Sequence, residues 1–502
     1  MEESKNNLPE ITLTAGQRKV LGQMTDFVFN SPDRVFILKG YAGTGKTTLM
    51  RFLIEELKGK NQPYKLLSTT GRAAKILSNN TGYPAETIHS TIYKYSDFNR
   101  DVSDFDPQKD TPSTTGQLFL DFEFVPLSGS DRKSCVYIID ESSMISDTAP
   151  KDVIQAKFGS GRLLKELLQY DDLPQSKYIF VGDPCQLPPI HGTYSPALMP
   201  SYFATKFGLE AQHTELTQIM RQDNSIIKAG EYVRKLWNDA PPDSLGYGRQ
   251  KVWGAPLYMS QFEDFVIHPD YLPMEELFFE NIQKHGYNES TFICSSNKNT
   301  RAMSMRIRAK LGFSGILQQG ELLMVTQNQL ITGLMNGDMV EVIAVKPETE
   351  RIMHEVTNPD GYHTALVFRE ITVKELFSKR KYTTMMLENT FQSENGNLDE
   401  RQQTGLFLDF ILRMKRKGIT PKKDKMMFDD IMRKDPYLNA LRCSYGYAIT
   451  CHKAQGGEWN SVFVQTPRNI TLNPEKIRYQ WFYTAITRAK KTVHLCRDFY
   501  FK

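Results

Sequence analysis

The sequence predicts an α/β protein in which two parallel sheets are covered by helices and each is interrupted by an insertion. Three observations predict it. Apolar runs ("RVFILKG", "YKLLSTT", "CVYIIDE", "KYIFVGD") alternate with polar turns and amphipathic stretches, the pattern of parallel strands joined by crossover helices. A glycine-rich turn, "GYAGTGKTT" (40–48), lies between the apolar run "VFIL" and the helical pattern "LMRFLIEEL". A second alternating series begins near "ESTFICSSN" and resumes at "GYAITCHKAQ" and "NSVFVQT", so a long stretch is inserted between its halves.

Taken in order, residues 1–92 and 134–215 form the first α/β domain. The intervening 93–133 carries "GQLFLDFEFVPL", expected to be a β-hairpin arm, with 96–116 as its loop. Residues 216–312 and 438–502 form the second α/β domain. Between them, 313–437 opens with "GELLMVTQN", "NGDMVEVIAV" and "TALVFREITV", the short alternating strands of a small β-barrel, and continues as a helical, basic part. A chain of 502 residues accommodates this, at ~150 residues per domain.

Composition narrows the function. No apolar run approaches the ~18 residues needed to cross a bilayer, and "MEESKNNLPE" is polar and acidic, unlike a signal peptide. The expectation is a cytoplasmic protein, of a bacterial cell or a phage-infected host, with no membrane partner. Cys135, Cys185, Cys294, Cys443, Cys451 and Cys496 lack C-x-x-C spacing, which argues against a zinc ribbon or disulfide framework. Lys plus Arg number 62 against 58 for Asp plus Glu, a net +4, so any nucleic-acid site is a local groove.

The chemistry is concentrated in a few segments. Gly40, Gly45, Lys46 and Thr47 satisfy G-x-x-x-x-G-K-[ST] between a strand and a helix. The backbone of Gly40, Ala42, Gly43, Thr44, Gly45 and Thr48 would cradle phosphates, Lys46 would reach the outer ones, and the Thr47 hydroxyl would ligate Mg²⁺. The strand of "CVYIIDESSM" ends in Asp140 and Glu141, one carboxylate for the metal and the next as general base for an attacking water. "IFVGDPCQLPPI" sets Asp183 and Gln186 at another strand end, where Gln186 either senses a terminal phosphate or belongs to a proline-stiffened loop. "RMKRKGITPKKDK" (413–425) is either a nucleic-acid contact or a solvated helix face.

The P-loop, "IIDESSM", "VGDPCQLPPI", "LTQIMRQ", "YAITCHKAQGGEW" and "WFYTAITRAK" occur in the order found in superfamily 1 helicases. The chain resembles the 5′-to-3′ branch, the Pif1, RecD-like and Dda-like group, of bacterial or bacteriophage type. The resemblance implies two RecA-like P-loop motor domains, an inserted β-hairpin arm acting as a strand-separating pin, and an inserted SH3-like β-barrel. Phe98 and Phe105 are the implied wedges of the pin, and "NGDMVEV" (336–342) the turn that opens the barrel. It also implies that Gln17 reads adenine, that Arg221 and Arg488 reach the terminal phosphate from the second motor domain, and that Tyr483 stacks near the nucleotide or sits in the core. Thr70, Arg72 and His89 in the first domain, with Thr450, His452 and Lys453 in the second, are the implied contacts to a single strand, although a core role for His89 competes. Gln455, Gly456 and Glu458 would couple track to nucleotide.

The expected activity is an ATP- and Mg²⁺-dependent DNA helicase translocating 5′ to 3′, acting as a monomer on single-stranded and forked DNA. Replication or single-strand-binding proteins are expected partners, and replication, repair and recombination all stay open. Two rivals stand beside it: an RNA helicase or remodeller of the same superfamily, and a nucleic-acid-binding subunit with little ATPase of its own.

Overall fold

The computed structural model describes residues 12–98, 122–126, 134–149, 156–190, 192–220, 225–240, 257–358, 361–393, 396–420, 425–466, 475–497 and 501. Helix α1 (Ala15–Asn30) leads into β1 (Val35–Gly40), α2 (Lys46–Gly59), β2 (Tyr64–Ser68), α3 (Gly71–Thr81), β3 (Ala85–Thr87) and α4 (Ile88–Ile92). Then follow β4 (Tyr93–Phe98), β5 (Phe122–Pro126), β6 (Val136–Ile139), β7 (Ala156–Phe158), α5 (Leu163–Tyr170), β8 (Lys177–Gly182), α6 (Pro200–Phe207) and β9 (Ala211–Leu216). The first sheet has the order β3-β2-β6-β8-β1-β9, with every pairing parallel. Strands β6 and β8 are buried throughout, as expected where helices cover both faces. Register decides where the chemistry emerges. Lys39 pairs with Gly182 and Ile139 with Phe180, so the turns after β1, β6 and β8 leave the sheet at one edge.

Within the expected arm, the described part of "GQLFLDFEFVPL", β5, pairs antiparallel with β4. A third strand, β7, adds parallel to β5 from beyond the expected boundary at 133. Residues 99–121, with Phe105, and the side chain of Phe98 lie outside the described residues.

The second half contains α7 (Ser225–Asp239), β10 (Phe265–His268), α8 (Tyr271–His285), β11 (Ser290–Cys294) and α9 (Asn297–Lys310). The insertion follows with β12 (Leu322–Val325), β13 (Met339–Val345), β14 (Ile352–Thr357), β15 (His363–Glu375), β16 (Lys381–Leu387), α10 (Glu400–Arg416), α11 (Lys425–Lys434) and β17 (Cys443–Tyr445). The chain returns through β18 (Ala448–Thr450), α12 (Cys451–Ala454), β19 (Trp459–Val464), α13 (Glu475–Ile486) and β20 (Ala489–Cys496). The second sheet, β10-β20-β19-β11-β18, is also all parallel. The inserted sheet, β14-β15-β13-β12-β17 with β16 on β15, is antiparallel and extends to Tyr445, past the expected end at 437.

Strand β15 explains the helical insert. Leu366 and Phe368 pack with Phe407 and Phe410 of α10 and Phe428 of α11, whereas Ile371 and Val373 face the core shared with α8 and α9. Since side chains alternate faces, the step from 368 to 371 moves the buried face to the other side of the sheet. Helices α10 and α11 cover the half that the motor does not. Of the basic run, Arg413 is paired with Asp409 at 2.8 Å and Asp435 at 2.6 Å, whereas Lys415, Arg416 and Lys417 are exposed. Among the described residues no helix is long and apolar enough to cross a membrane.

In the second sheet, His268 Nε2 lies 3.1 Å from His494 Nδ1, and His494 stacks on Phe463 with ring centroids 4.2 Å apart. Burial, with His268 adding to it, pushes His494 down to about 4. An unfolded chain therefore takes up a proton below pH ~6.5 that the folded one refuses until about pH 4, so stability falls with pH across that window. Urea midpoints measured at constant ionic strength should drop more steeply from pH 6.5 to 4 for the wild type than for His494→Gln; equal slopes would refute the assignment.

A candidate nucleotide and nucleic-acid site between the two parallel sheets

The glycine-rich turn between β1 and α2 needs its glycines. Gly43 and Gly45 have φ of +79° and +83°, and a Cβ on Gly45 would lie 2.4 Å from Gln17 Nε2. Helix α2 begins at Lys46, so its unpaired N–H groups and positive dipole end face the turn. Lys46 Nζ donates to the carbonyls of Gly40 (2.7 Å) and Tyr41 (3.0 Å), and Thr47 and Thr48 lie in the first helical turn. Gln17, expected to read adenine, is 4% exposed. Its oxygen accepts from Thr14 N in a capping box, and its Nε2 donates to Thr44 O at 3.2 Å. The amide thus ties the start of α1 to the turn.

Asp140 and Glu141 leave β6 beside this turn. Glu141 has φ +53°, a left-handed conformation that a non-glycine residue adopts only when its surroundings impose it. Burial pushes both carboxyls above the usual range, the Glu141 charge adding to this at Asp140. Lys46 opposes the shift at both, and Arg488 opposes it at Glu141. Asp140 and the Thr47 hydroxyl form an oxygen donor set of the kind a hard dication shares with phosphate oxygens.

The loop after β8 is held from the other half. Tyr483 Oη donates to Asp183 Oδ2 (2.7 Å) and accepts from Ala42 N (2.9 Å). Leu187 N donates to Thr484 Oγ1 (3.0 Å), Gln480 Nε2 to Pro184 O (3.0 Å), and Gln455 Nε2 to Leu187 O (3.2 Å). Gln186, 4% exposed, accepts from Gln455 Nε2 at 3.4 Å. Tyr483 therefore reaches the glycine-rich turn with its hydroxyl, while its ring packs beside α7, 3.5 Å from where a Cβ on Gly230 would be. Arg488, 6% exposed, is bonded to Thr484 O (3.1 Å) and Gly457 O (3.4 Å) on the same side of the cleft. Arg221 lies outside the described residues.

The expected track residues divide. Thr70 and Thr450 cap α3 and α12, their hydroxyls accepting from Ala73 N and Lys453 N. Arg72 is not directed outward: its guanidinium lies 4.5 Å from the centre of the Trp459 ring, and burial pushes its pKa down to about 10. It belongs to the junction of α3 with the second half, beside a cavity of about 360 Å³ also lined by Lys75, Asp338, Glu375 and Lys490. His89 sits 5.7 Å from Tyr93, and burial, opposed by Glu166, pushes it down to about 4, so it is neutral at physiological pH. His452 is partly buried on α12. Lys453, pushed down by burial, lines a narrow cleft with Thr450, Asn297, Thr300, Arg301 and Ser393. The last four went unnoticed in the sequence, although "SSNKNTR" is a polar run directly after an apolar strand, where parallel sheets place ligands.

Residues 12–247 match a family model described as an AAA domain, and residues 445–496 match one described as a UvrD-like helicase C-terminal domain. An uncharacterised protein of Methanocaldococcus jannaschii is 25% identical over 519 residues, covering 98% of this chain and 39% of its own length, so the chain spans well under half of that relative. The ATP-dependent DNA helicase dda of Enterobacteria phage T4 is 25% identical over 499 residues, covering 96% of this chain and 98% of its own. A crystal structure of Pif1 helicase from Bacteroides, in complex with ADP-AlF3 and ssDNA, aligns over 98% of this chain and 93% of its own, with TM-score 0.45 and 15% identity. The first match covers the first half and runs on into α7 of the second, and the other match lies in the second half. The chain thus carries an AAA-type segment that holds the P-loop and a segment like the UvrD-like helicase C-terminal domain.

The seat of the inserted turn on α3 is tight. A Cβ on Gly71 would lie 2.3 Å from Met335 Sδ and 2.4 Å from Met335 Cβ, and no rotamer change moves the latter. Gly71→Ala should lower unfolding stability by about 1–3 kcal/mol, with Met335→Gly, which removes the clashing Cβ as well as the sulfur, relieving the clash in the double variant. Chemical denaturation of the single and double variants checks this, and additive losses would contradict it.

Proposed function

We propose that the protein is an ATP- and Mg²⁺-dependent DNA helicase that moves 5′ to 3′ along single-stranded DNA and unwinds forked duplexes as a monomer. The observation that carries the reading is the cross-cleft bonding: one loop, residues 183–187, joins the nucleotide turn to α13 and to the segment containing Thr450 and Lys453. A pure binding subunit has no evident use for that junction. DNA as the track is supported by the full-length likeness to the phage DNA helicase, and the polarity by the order of the sequence motifs.

In this reading Lys46 neutralises the outer phosphates, and Glu141 takes the proton of the attacking water. Burial raises its pKa, which strengthens the carboxylate as a base. Mg²⁺, held by Thr47 and Asp140, would supply charge neutralisation at the phosphate oxygens. Arg488 and Arg221 stabilise charge on the transferring group, and Gln186 passes its state to Gln455. Thr450, His452 and Lys453, with Asn297, Thr300 and Arg301, grip the strand in the second half; Thr70 and His89 grip it in the first. Arg72 acts at the junction instead.

ATP hydrolysis should rise at least tenfold on adding single-stranded DNA. Glu141→Gln should lose about 10²–10⁴-fold in rate while still binding nucleotide, and Lys46→Ala should lose both. Duplexes with a 5′ tail should unwind and those with a 3′ tail should not. DNA binding without stimulated hydrolysis would favour the binding-subunit reading, and stimulation by RNA alone would change the track.

A further inference from the structure

The glycine-rich turn sends one large side chain out toward the second half. Tyr41 keeps its backbone in the turn, its carbonyl accepting from Lys46 Nζ at 3.0 Å and from Thr44 Oγ1 at 2.8 Å. Its side chain, with Ala42, packs against the cluster that joins Cys185 and Leu187 to Ile226, Ala229 and Val233 of α7. There the guanidinium carbon of Arg234 lies 3.9 Å from the centre of the Tyr41 ring. Burial, with a hydrogen bond to Glu215 added, pushes the phenol upward, so the guanidinium faces a neutral ring. Two turns earlier on α7, Ile227 Cδ1 lies 3.2 Å from where a Cβ on Gly43 would be, so one face of α7 runs along the turn.

The stack is the main engagement of Arg234. Among the described residues its ion pair is with Glu231, at 3.9 Å and with the Glu231 side chain 48% exposed, and a surface pair of that kind contributes little. A guanidinium on an aromatic face gains more where water is partly excluded, and the Arg234 side chain is 20% exposed. The contact spans the cleft: the ring belongs to the turn that would hold the phosphates, and the cation to a helix of the opposite half.

We propose that Tyr41 and Arg234 are positioning residues that clasp α7 to the glycine-rich turn and so set the rate at which the product diphosphate leaves. The proposal rests on the nucleotide-motor reading of this cleft. In that reading the nucleotide lies between Lys46 of one half and Arg488 of the other, so it leaves when the halves part. Parting draws the Tyr41 ring off the face of Arg234, and the barrier to release includes that contact. The bonds from Thr484 and Gln480 to residues 183–187 join the halves without the Tyr41 ring, so losing the stack weakens the closed form without dismantling it. No bond in the nucleotide is made or broken in this step.

Release is read by chasing a bound fluorescent ADP with excess ADP in a stopped-flow instrument. Arg234→Met keeps the stem and removes the charge, and Tyr41→Leu keeps an apolar side chain and removes the ring. Each should speed release about 3–10-fold, the value of one cation–π contact. The double variant should be no faster than either single one, because both remove the same contact. Tyr41→Phe, which keeps the ring and loses the bond to Glu215, and Glu231→Gln, which loses the surface pair, should release at the wild-type rate. In single turnovers at saturating ATP, the hydrolysis step of Arg234→Met should keep its wild-type rate. Unchanged release in Arg234→Met, additive effects in the double variant, or an equal effect of Glu231→Gln would overturn the proposal. So would a hydrolysis step altered as much as release. A wild type that binds no ADP would sink the motor reading itself, a result distinct from failure of the clasp.

Discussion

The hydrogen bonds from α13 to the loop after β8 are the interaction on which the rest of this structure depends. Tyr483, Thr484 and Gln480 each satisfy a group in residues 183–187, and Gln455, at the end of α12, adds another. All of these groups but the partly buried Pro184 carbonyl are buried, so separating the halves without water or ligand to replace them costs about 1–3 kcal/mol for each buried one left unpaired. With water entering, the net value of each falls to about 1 kcal/mol. A handful of such bonds is therefore comparable with the ~5.5 kcal/mol that moves a two-state equilibrium from one side to the other. Binding energy of that size is available from a triphosphate, which suits a cleft that closes and reopens in each cycle.

Electrostatics reinforces the same geometry. Asp140, Glu141 and Asp183 bring three carboxyls together, all pushed upward by burial, around Lys46. Arg488 comes from the other half and opposes the shift at Glu141 and Asp183. A cation of the second half thus sits by an acidic cluster of the first, and in the proposed motor separating the halves would withdraw it from Glu141.

Where the chemistry rests on local spacing, the sequence was legible. The P-loop, Asp140–Glu141 and the buried strands could be read because each signal lies within about ten residues. The capping box at Thr14 and Gln17, though equally local, was not read in the sequence, and it helps hold Gln17 against the turn. What was not legible depends on partners far along the chain. Arg72 looked like a phosphate contact until Trp459, 387 residues later by the numbering, placed its ring beneath it. Arg413 looked basic and free because Asp435 is brought to it only by the α10–α11 turn. The arm's third strand is three residues long, too short to show alternation, and the face switch along β15 is one residue out of step in an otherwise regular pattern.

The central claim is that the terminal phosphate sets how the two halves sit against each other. All six cysteines are buried, so spin labels on Glu56→Cys of α2 and Lys284→Cys of α8, both exposed, can be attached selectively. Double electron–electron resonance, with single-stranded DNA present, then gives the distance between the halves in each nucleotide state. The account predicts one distribution with a non-hydrolysable ATP analogue and a distinct, longer one with ADP. The same distribution in both states would contradict it.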